Sequence, residues 1–459
     1  MVWHPPGRDD EARQLLDDVV AAVRSRLDDE QPDLGRALTY DQLRSALGTS
    51  ITASGLGGPE ALRRFVDVLA PSCLTIDHPL YLAYVPAAPS HASTLADVLV
   101  SVWNMYPGTF ADGSGAVYAE NEALEWLAAL AGMPVGAGGV FVSGGTAGNL
   151  SALIAARHRW RERANGAFDR TRGIVVTSDG AHASVEAAAR VMDADVVAIP
   201  ADHRGRLDRS ALVRAVDQLG PSRRSRVFAV VATAGTTNAG VVDDLAAAAD
   251  VAADLGTWLH IDGAYGGAAL LSAGVRHHFA GIERADSLII DPHKWLFAPF
   301  DCCALVYLDP ATARDAHTQH AAYLEPTQWR AEWNPSDFAH HLTRRARGLP
   351  FWFGLAVYGT DAYAAAVEAN LRSARHAAAL ITASSHLELV MDPELSVVLL
   401  RRVGWDAHHY REWSERIAAA GIGYVTPTVW RGETVARLCF VNPATHDDDI
   451  RWLLDSMSA

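Results

Sequence analysis

Short apolar, β-branched runs recur at 140–142, 174–177, 196–199, 227–233, 257–261, 287–290 and 303–308, each followed by a segment long enough for a helix. Runs of this length, apolar throughout rather than alternating, predict strands buried on both faces, and the intervening helices predict crossover connections. The fold class is therefore α/β, a mostly parallel sheet with helices on both sides. Ahead of this core, residues from about 9 to 70 carry helical periodicity (Leu15, Leu16, Val19, Val20 and Val23 after Asp9, then a second start at Pro59 and Glu60), which reads as a helical N-terminal arm. Ala-rich helical patterns follow at about 91–104 and 115–131. Behind the core, a helical pattern from about 349 to 383, apolar runs at 387–390, 396–403 and 434–441, and a helix near 406–420 read as a small C-terminal α+β domain. The predicted division is 1–88 for the arm, 89–348 for the large domain and 349–459 for the small one. Residues 321–343 fit neither period, being aromatic, polar and broken by proline, which marks a functional or a disordered loop.

Composition narrows the function. The net charge of −15 argues against a nucleic-acid partner, which calls for clustered Lys and Arg. The first ten residues lack the basic and apolar segments of a signal peptide and no apolar run approaches membrane-spanning length, so a cytoplasmic protein with no membrane contact is expected. Four cysteines without CxxC spacing read as reduced thiols. The pairs His277–His278, His340–His341 and His408–His409 lack companion ligands at a recognisable spacing, so no metal is expected. Zinc-peptidase and α/β-hydrolase motifs are absent from the sequence.

One residue stands out chemically. Of 39 lysines and arginines, only Lys294 is lysine. A lysine amine can lose its proton and attack a carbonyl, which a guanidinium cannot do. Four further motifs fall at the predicted carboxyl ends of strands, where open α/β sheets bind ligands. Ser143-Gly144-Gly145-Thr146 is a glycine turn into a helix, a phosphate cradle that matches neither the dinucleotide fingerprint nor the P-loop. Asp262, past the run at 257–261, can pair with a protonated pyridine nitrogen, His182 can stack on a ring, and Thr233 ends a strand beside further hydroxyls. A cradle, a stacking ring, a pyridinium partner and a carbonyl-capturing amine are the parts pyridoxal 5'-phosphate (PLP) requires.

With Pro292-His293-Lys294-Trp295, His260-Ile261-Asp262 and Ala181-His182-Ala183-Ser184 in hand, the chain resembles the group II PLP-dependent amino-acid decarboxylases, the family of aromatic-L-amino-acid decarboxylase, from about His78 to Gly359. The resemblance implies PLP-dependent fold type I, aspartate aminotransferase-like, with a seven-stranded sheet, and a homodimer with its active site at the interface. It implies Lys294 as the covalent anchor, Asp262 as the ring-nitrogen partner, His182 as stacking ring and acid/base, and Ala264 on the opposite ring face. Gly145, Thr146 and His293 would hold the phosphate, with Thr233 near the ring. Tyr84, Val85, Pro86, Trp103 and Tyr106 fall in segments like the family's side-chain pocket, which implies an aromatic or bulky apolar L-amino acid and an amine product.

Two departures matter. Asp291 stands where many relatives have Asn. In the loop where relatives with full decarboxylase activity commonly carry a proton-donating tyrosine, this chain offers Phe338, with His340 and His341 behind it as alternative donors. An aldehyde-forming or transaminating PLP enzyme therefore stays open as an alternative, as does a non-catalytic PLP-binding protein.

Overall fold

A computed structural model of the chain describes residues 10–29, 32–164, 171–322 and 333–458. The apolar runs form strands β1 (Gly138–Val142), β2 (Ile174–Ser178), β3 (Asp195–Ile199), β4 (Val227–Thr233), β5 (Trp258–Asp262), β6 (Ser287–Ile290) and β7 (Cys303–Tyr307). They make one sheet in the order β1-β7-β6-β5-β4-β2-β3. β7 runs against both of its neighbours, and the remaining pairings are parallel, as the α/β reading anticipates. The strands β1 to β6 consequently release their chains along one edge of the sheet, and β7 releases its chain along the other.

Period-two alternation sorts β5 between two apolar layers: Leu259 and Ile261 join one, Trp258 the other. His260 and Asp262 share the Trp258 face, which the helix Gly145–Arg163 covers. That helix lies close to the sheet because position 148 is glycine. A Cβ there would come within 2.8 Å of Ile289 Cγ2.

The C-terminal part forms a second, antiparallel sheet of β8 (Leu387–Leu389), β9 (Val397–Arg402), β10 (Thr428–Trp430) and β11 (Glu433–Cys439), in the order β10-β11-β9-β8. β10, absent from the sequence reading, is too short to show alternation. Two helical readings are corrected. The pattern over 349–383 is two helices, Leu349–Tyr358 and Thr360–Ala383, parted by Gly359 at φ 74°. The pattern at 115–131 belongs to a helix that starts at Phe110, capped by Thr109, with non-helical backbone at Gly113. In the arm the structure places helices at Asp10–Leu27, Tyr40–Leu47 and Gly58–Arg64.

The loop over 321–343 is also corrected in part. Residues 323–332 lie outside the described residues. Phe338, in the bend after the turn Pro335–Asp337, does not project into solvent. It is wholly buried, stacked on Trp333 with ring centroids 4.2 Å apart, and its carbonyl accepts the Tyr307 hydroxyl at 3.0 Å.

Candidate active site

At the carboxyl edge of the large sheet lies a cavity of about 380 Å³. Five connections supply its walls: Ser143 to Thr146 after β1, His182 after β2, Thr233 ending β4, Asp262 and Ala264 at the end of β5, and His293 and Lys294 after β6. All eight residues assigned to cofactor binding by the sequence reading share this one cavity.

Lys294 sits in the short turn Pro292–Trp295 and places its Nζ 2.9 Å from Asp291 Oδ2. The same oxygen accepts the Gly145 N–H at 3.3 Å and lies 3.6 Å from His293 Nε2. Burial by itself would lower the pKa of Lys294, but the carboxylates of Asp291 and Asp262 outweigh it and the net shift is upward. For Asp291, burial pushes upward and the charges of Lys294 and His293 outweigh it, so the net shift is downward. The first turn of the helix after β1 thus aims its free N–H groups at a site that already holds an ammonium.

Asp262 anchors a buried polar chain on the helix-covered face of the sheet. Its Oδ2 accepts from Asn149 Nδ2 at 2.9 Å and its Oδ1 accepts the Ala264 N–H at 3.2 Å. Asn149 Nδ2 also donates to Ser184 Oγ at 2.8 Å, and that hydroxyl lies 2.7 Å from His182 Nδ1. On its other side Asn149 Oδ1 is 2.7 Å from His260 Nε2, while His260 Nδ1 is 2.8 Å from Ser287 Oγ. Trp258 Nε1 donates to the same Ser287 Oγ at 2.7 Å. The parallel register sets His260 opposite Ser287, so β5 and β6 bring this pair together by pairing alone.

Asn149, Ser184 and His260 were not assigned roles from the sequence. A signal was present for two of them: Asn149 interrupts an Ala-rich helix face and His260 a fully buried strand, where polar side chains are uncommon. Phe300, Asp301 and Thr237 also line the cavity without having been singled out.

Other assigned residues lie apart. Tyr84 and Trp103 are 59% and 65% exposed, Pro86 is buried and Tyr106 half-buried, and none of the four lines the cavity of the described chain. Arg437 of β11 donates to the carbonyls of Tyr84 at 2.6 Å and Thr237 at 2.7 Å, which ties the smaller sheet to the Tyr84 segment and to the cavity rim. Phe338, His340 and His341 are absent from the walls as well. His340 is exposed, its N–H given to Ser151 Oγ, and His341 Nε2 donates to the Pro335 carbonyl.

The residues present fit PLP. Helix N–H groups with the Thr146 hydroxyl suit a phosphate, the Asp262 carboxylate suits a ring nitrogen, and the Lys294 amine lines the same cavity. Two buried polar atoms on the walls, Thr233 Oγ1 and Asp291 Oδ1, have no hydrogen-bond partner among the described residues. Residues 59–403 match the family model described as the pyridoxal-dependent decarboxylase conserved domain. The chain is 30% identical over 439 residues to the aromatic-L-amino-acid decarboxylase of Bacillus atrophaeus, covering 93% of this chain and 90% of that one. It is 32% identical over 413 residues to the L-2,4-diaminobutyrate decarboxylase of Rhizobium meliloti (strain 1021), covering 88% and 82%. Among solved structures, Oryza sativa TDC with PLP and tryptamine superposes with a TM-score of 0.92 at 24% identity, over 99% of both chains. The chain thus belongs to the pyridoxal-dependent decarboxylases, and is a PLP-dependent lyase acting on an amino acid.

Proposed function

We propose that the enzyme decarboxylates an aromatic or bulky apolar L-amino acid to the amine. The observation that carries the reading is the convergence of eight assigned residues from five separate connections on one cavity. Bound PLP supplies a ring that takes up the electrons released when the bond to the carboxylate breaks. Toward it, Lys294 offers the attaching amine, Asp262 the partner for the ring nitrogen, and Gly145, Thr146 and His293 the phosphate contacts, with Thr233 beside the ring. His182 and Ala264 would take the two ring faces, with His182 as the residue to hand over a proton.

The substrate class is supported by what the walls lack. Among the described residues no arginine lines the cavity, and Arg437 and Arg347 at its rim are engaged with the Thr237 carbonyl and Asp301, which disfavours an acidic side chain. A cationic side chain finds Asp301 at the rim, but Arg347 already lies 3.4 Å from that carboxylate. Apolar surface is at hand in Phe300.

A homodimer, in a cytoplasmic setting, completes this reading. The helix His91–Trp103 buries Ala92, Ala96 and Val100 yet leaves Leu95, Leu99 and Val102 exposed, an apolar second face that suits a partner subunit. Tyr84 and Trp103 would then meet the substrate from across the interface, and of the three loop residues the exposed His340 is the one free to face a partner.

The test is incubation of the PLP-loaded protein with a panel of L-amino acids, reading amine and carbon dioxide against aldehyde and peroxide. Borohydride reduction should fix the cofactor on Lys294, and Lys294→Arg should abolish that label. A higher kcat/KM for glutamate than for tryptophan, tyrosine or phenylalanine would overturn the substrate class. Aldehyde with peroxide as the main product would replace the amine reading with oxidative conversion, and silence in every assay would leave a non-catalytic binding protein.

A further inference from the structure

The polar chain beneath the cavity ends on the Asp262 carboxylate, which only accepts, and this sets the direction of the bonds that lead away from it. At one end the Trp258 indole can only donate, so Ser287 Oγ accepts from it, and its second lone pair and its own hydrogen leave the bond to His260 Nδ1 open in either direction. At the other end both Asp262 oxygens receive N–H donors, so Asn149 must turn its NH₂ group to Asp262 and its oxygen to His260 Nε2. His260 Nε2 must then carry the hydrogen. In the neutral ring Nδ1 then accepts the Ser287 hydroxyl. Burial agrees with the neutral form, pushing the His260 pKa down to about 4.

The branch toward His182 follows by the same counting. The second N–H of Asn149 goes to Ser184 Oγ, whose hydrogen is left to give to His182 Nδ1. That nitrogen also receives the Ser184 backbone N–H at 3.2 Å. With two donors directed at Nδ1, the imidazole hydrogen resides on Nε2.

We propose that Asn149 is a positioning residue whose single amide group holds Asp262 and also, through Ser184, sets His182 in the Nε2–H tautomer. The stacking imidazole then offers the cavity a hydrogen-bond donor rather than a lone pair. The functional weight of this rests on the roles proposed above for Asp262 and His182, whereas the tautomer itself can be read on cofactor-free protein. Asn149→Asp keeps the shape but has no N–H to give either branch. Ser184→Ala removes the hydroxyl that links Asn149 to His182 and spares the Asn149–Asp262 bond, leaving the backbone N–H of residue 184 as the one remaining donor to His182 Nδ1. The two variants therefore separate the two arms.

The experiment is two-bond ¹⁵N–¹H correlation on histidine-labelled full-length protein, with the His182 signal assigned by its loss in His182→Gln, alongside PLP dissociation constants from fluorescence titration. Wild-type protein should show His182 with hydrogen on Nε2. Ser184→Ala should shift it toward the Nδ1–H form with PLP affinity within about twofold of wild type. Asn149→Asp should do both, shifting the tautomer and weakening PLP about tenfold, the size of effect typical of partners that orient a ligating group. Should Asn149→Asp fail to fold, the wild-type and Ser184→Ala spectra still decide. An Nδ1–H tautomer in wild type, or a His182 signal indifferent to Ser184→Ala, would overturn the proposal. Failure of the wild-type protein to bind PLP would instead strike the functional reading and leave the tautomer result standing.

Discussion

The ammonium of Lys294 lies 2.9 Å from Asp291 Oδ2, and the same oxygen accepts the Gly145 N–H from the helix start at 3.3 Å. One carboxylate therefore restrains both groups a phosphorylated aldehyde has to engage: it keeps the amine protonated and it stands beside the anion cradle. Covalent loading at neutral pH should be slow and should accelerate as pH rises, because the amine reacts only after losing its proton. Asp291→Asn removes the charge while keeping the shape. We predict about tenfold faster attachment of PLP at pH 7, with a shallower pH dependence, by stopped-flow absorbance. Equal rates and equal pH profiles in both proteins would sink this account.

Phe338 leads to a prediction opposite to the one its sequence neighbourhood invites. A tyrosine at 338 would look like restoration of a loop proton donor. In the fold the ring is wholly buried between Trp333 and the Arg314 guanidinium, which sits 5.4 Å from its centroid. Phe338→Tyr should bury a hydroxyl and destabilise the protein by about 1–3 kcal/mol if that group goes unpaired. The amine-to-aldehyde ratio should not move. A shift toward amine with an unchanged melting temperature would show that the segment does reach the chemistry.

These two positions also show what the sequence could convey. The run at 257–261 reads as a buried strand because its residues are apolar, and Asp262 is legible as a site because a carboxylate past such a run needs a reason to be there. Lys294 is legible by being unique. Asn149 is legible only as a polar break in an Ala-rich helix face, because its role lies in what it bridges across more than a hundred residues of chain, to His260 and Asp262. Phe338 misleads because an aromatic residue in an aperiodic stretch looks the same whether it is buried or mobile, and only the stack on Trp333 decides. The helix over 349–383 reads as continuous because a single glycine does not interrupt apolar periodicity, although Gly359 adopts a φ that helices exclude.

Arg344 and Glu120 form the most enclosed ion pair in the described residues, with side chains 1% and 2% exposed and contacts of 2.6 and 2.8 Å. Arg344 also donates to the carbonyls of Pro107 and Phe141, and Glu120 accepts the Gly348 N–H. The pair thereby clamps the end of β1, and with it the glycine turn, to the segment entering the helix Leu349–Tyr358. Arg344→Met should cost about 3–5 kcal/mol, because it strands a buried carboxylate. Urea unfolding of the two proteins measures this, and a loss below about 1 kcal/mol would mean the clamp is incidental.

Three buried histidines predict an acid-sensitive fold. Burial, as the largest cause in each case, pushes the pKa of His260, His317 and His341 down to about 4. Above pH about 6.5 both the folded and the unfolded chain carry these rings neutral, so their stabilisation is fully present. Between 6.5 and 4 the unfolded chain takes up protons that the folded one refuses, and stability is lost as pH falls. Asp243 opposes this. Burial raises its pKa to about 7, so the folded chain holds a proton there that the unfolded chain releases above about 3.8, and its contribution is lost as pH rises. Three groups against one leave a net excess of about two protons on the unfolded chain near pH 5, or ~3 kcal/mol of stability lost per pH unit. His317→Gln is the cleanest probe, since a glutamine N–H can still be given to the Ser151 carbonyl that His317 Nε2 now serves at 3.0 Å, yet it does not titrate. Thermal melts from pH 8 to 4.5 should show a falling melting temperature in wild type and a visibly shallower fall in His317→Gln. Parallel curves for the two proteins would mean that this ring is not held neutral by the fold.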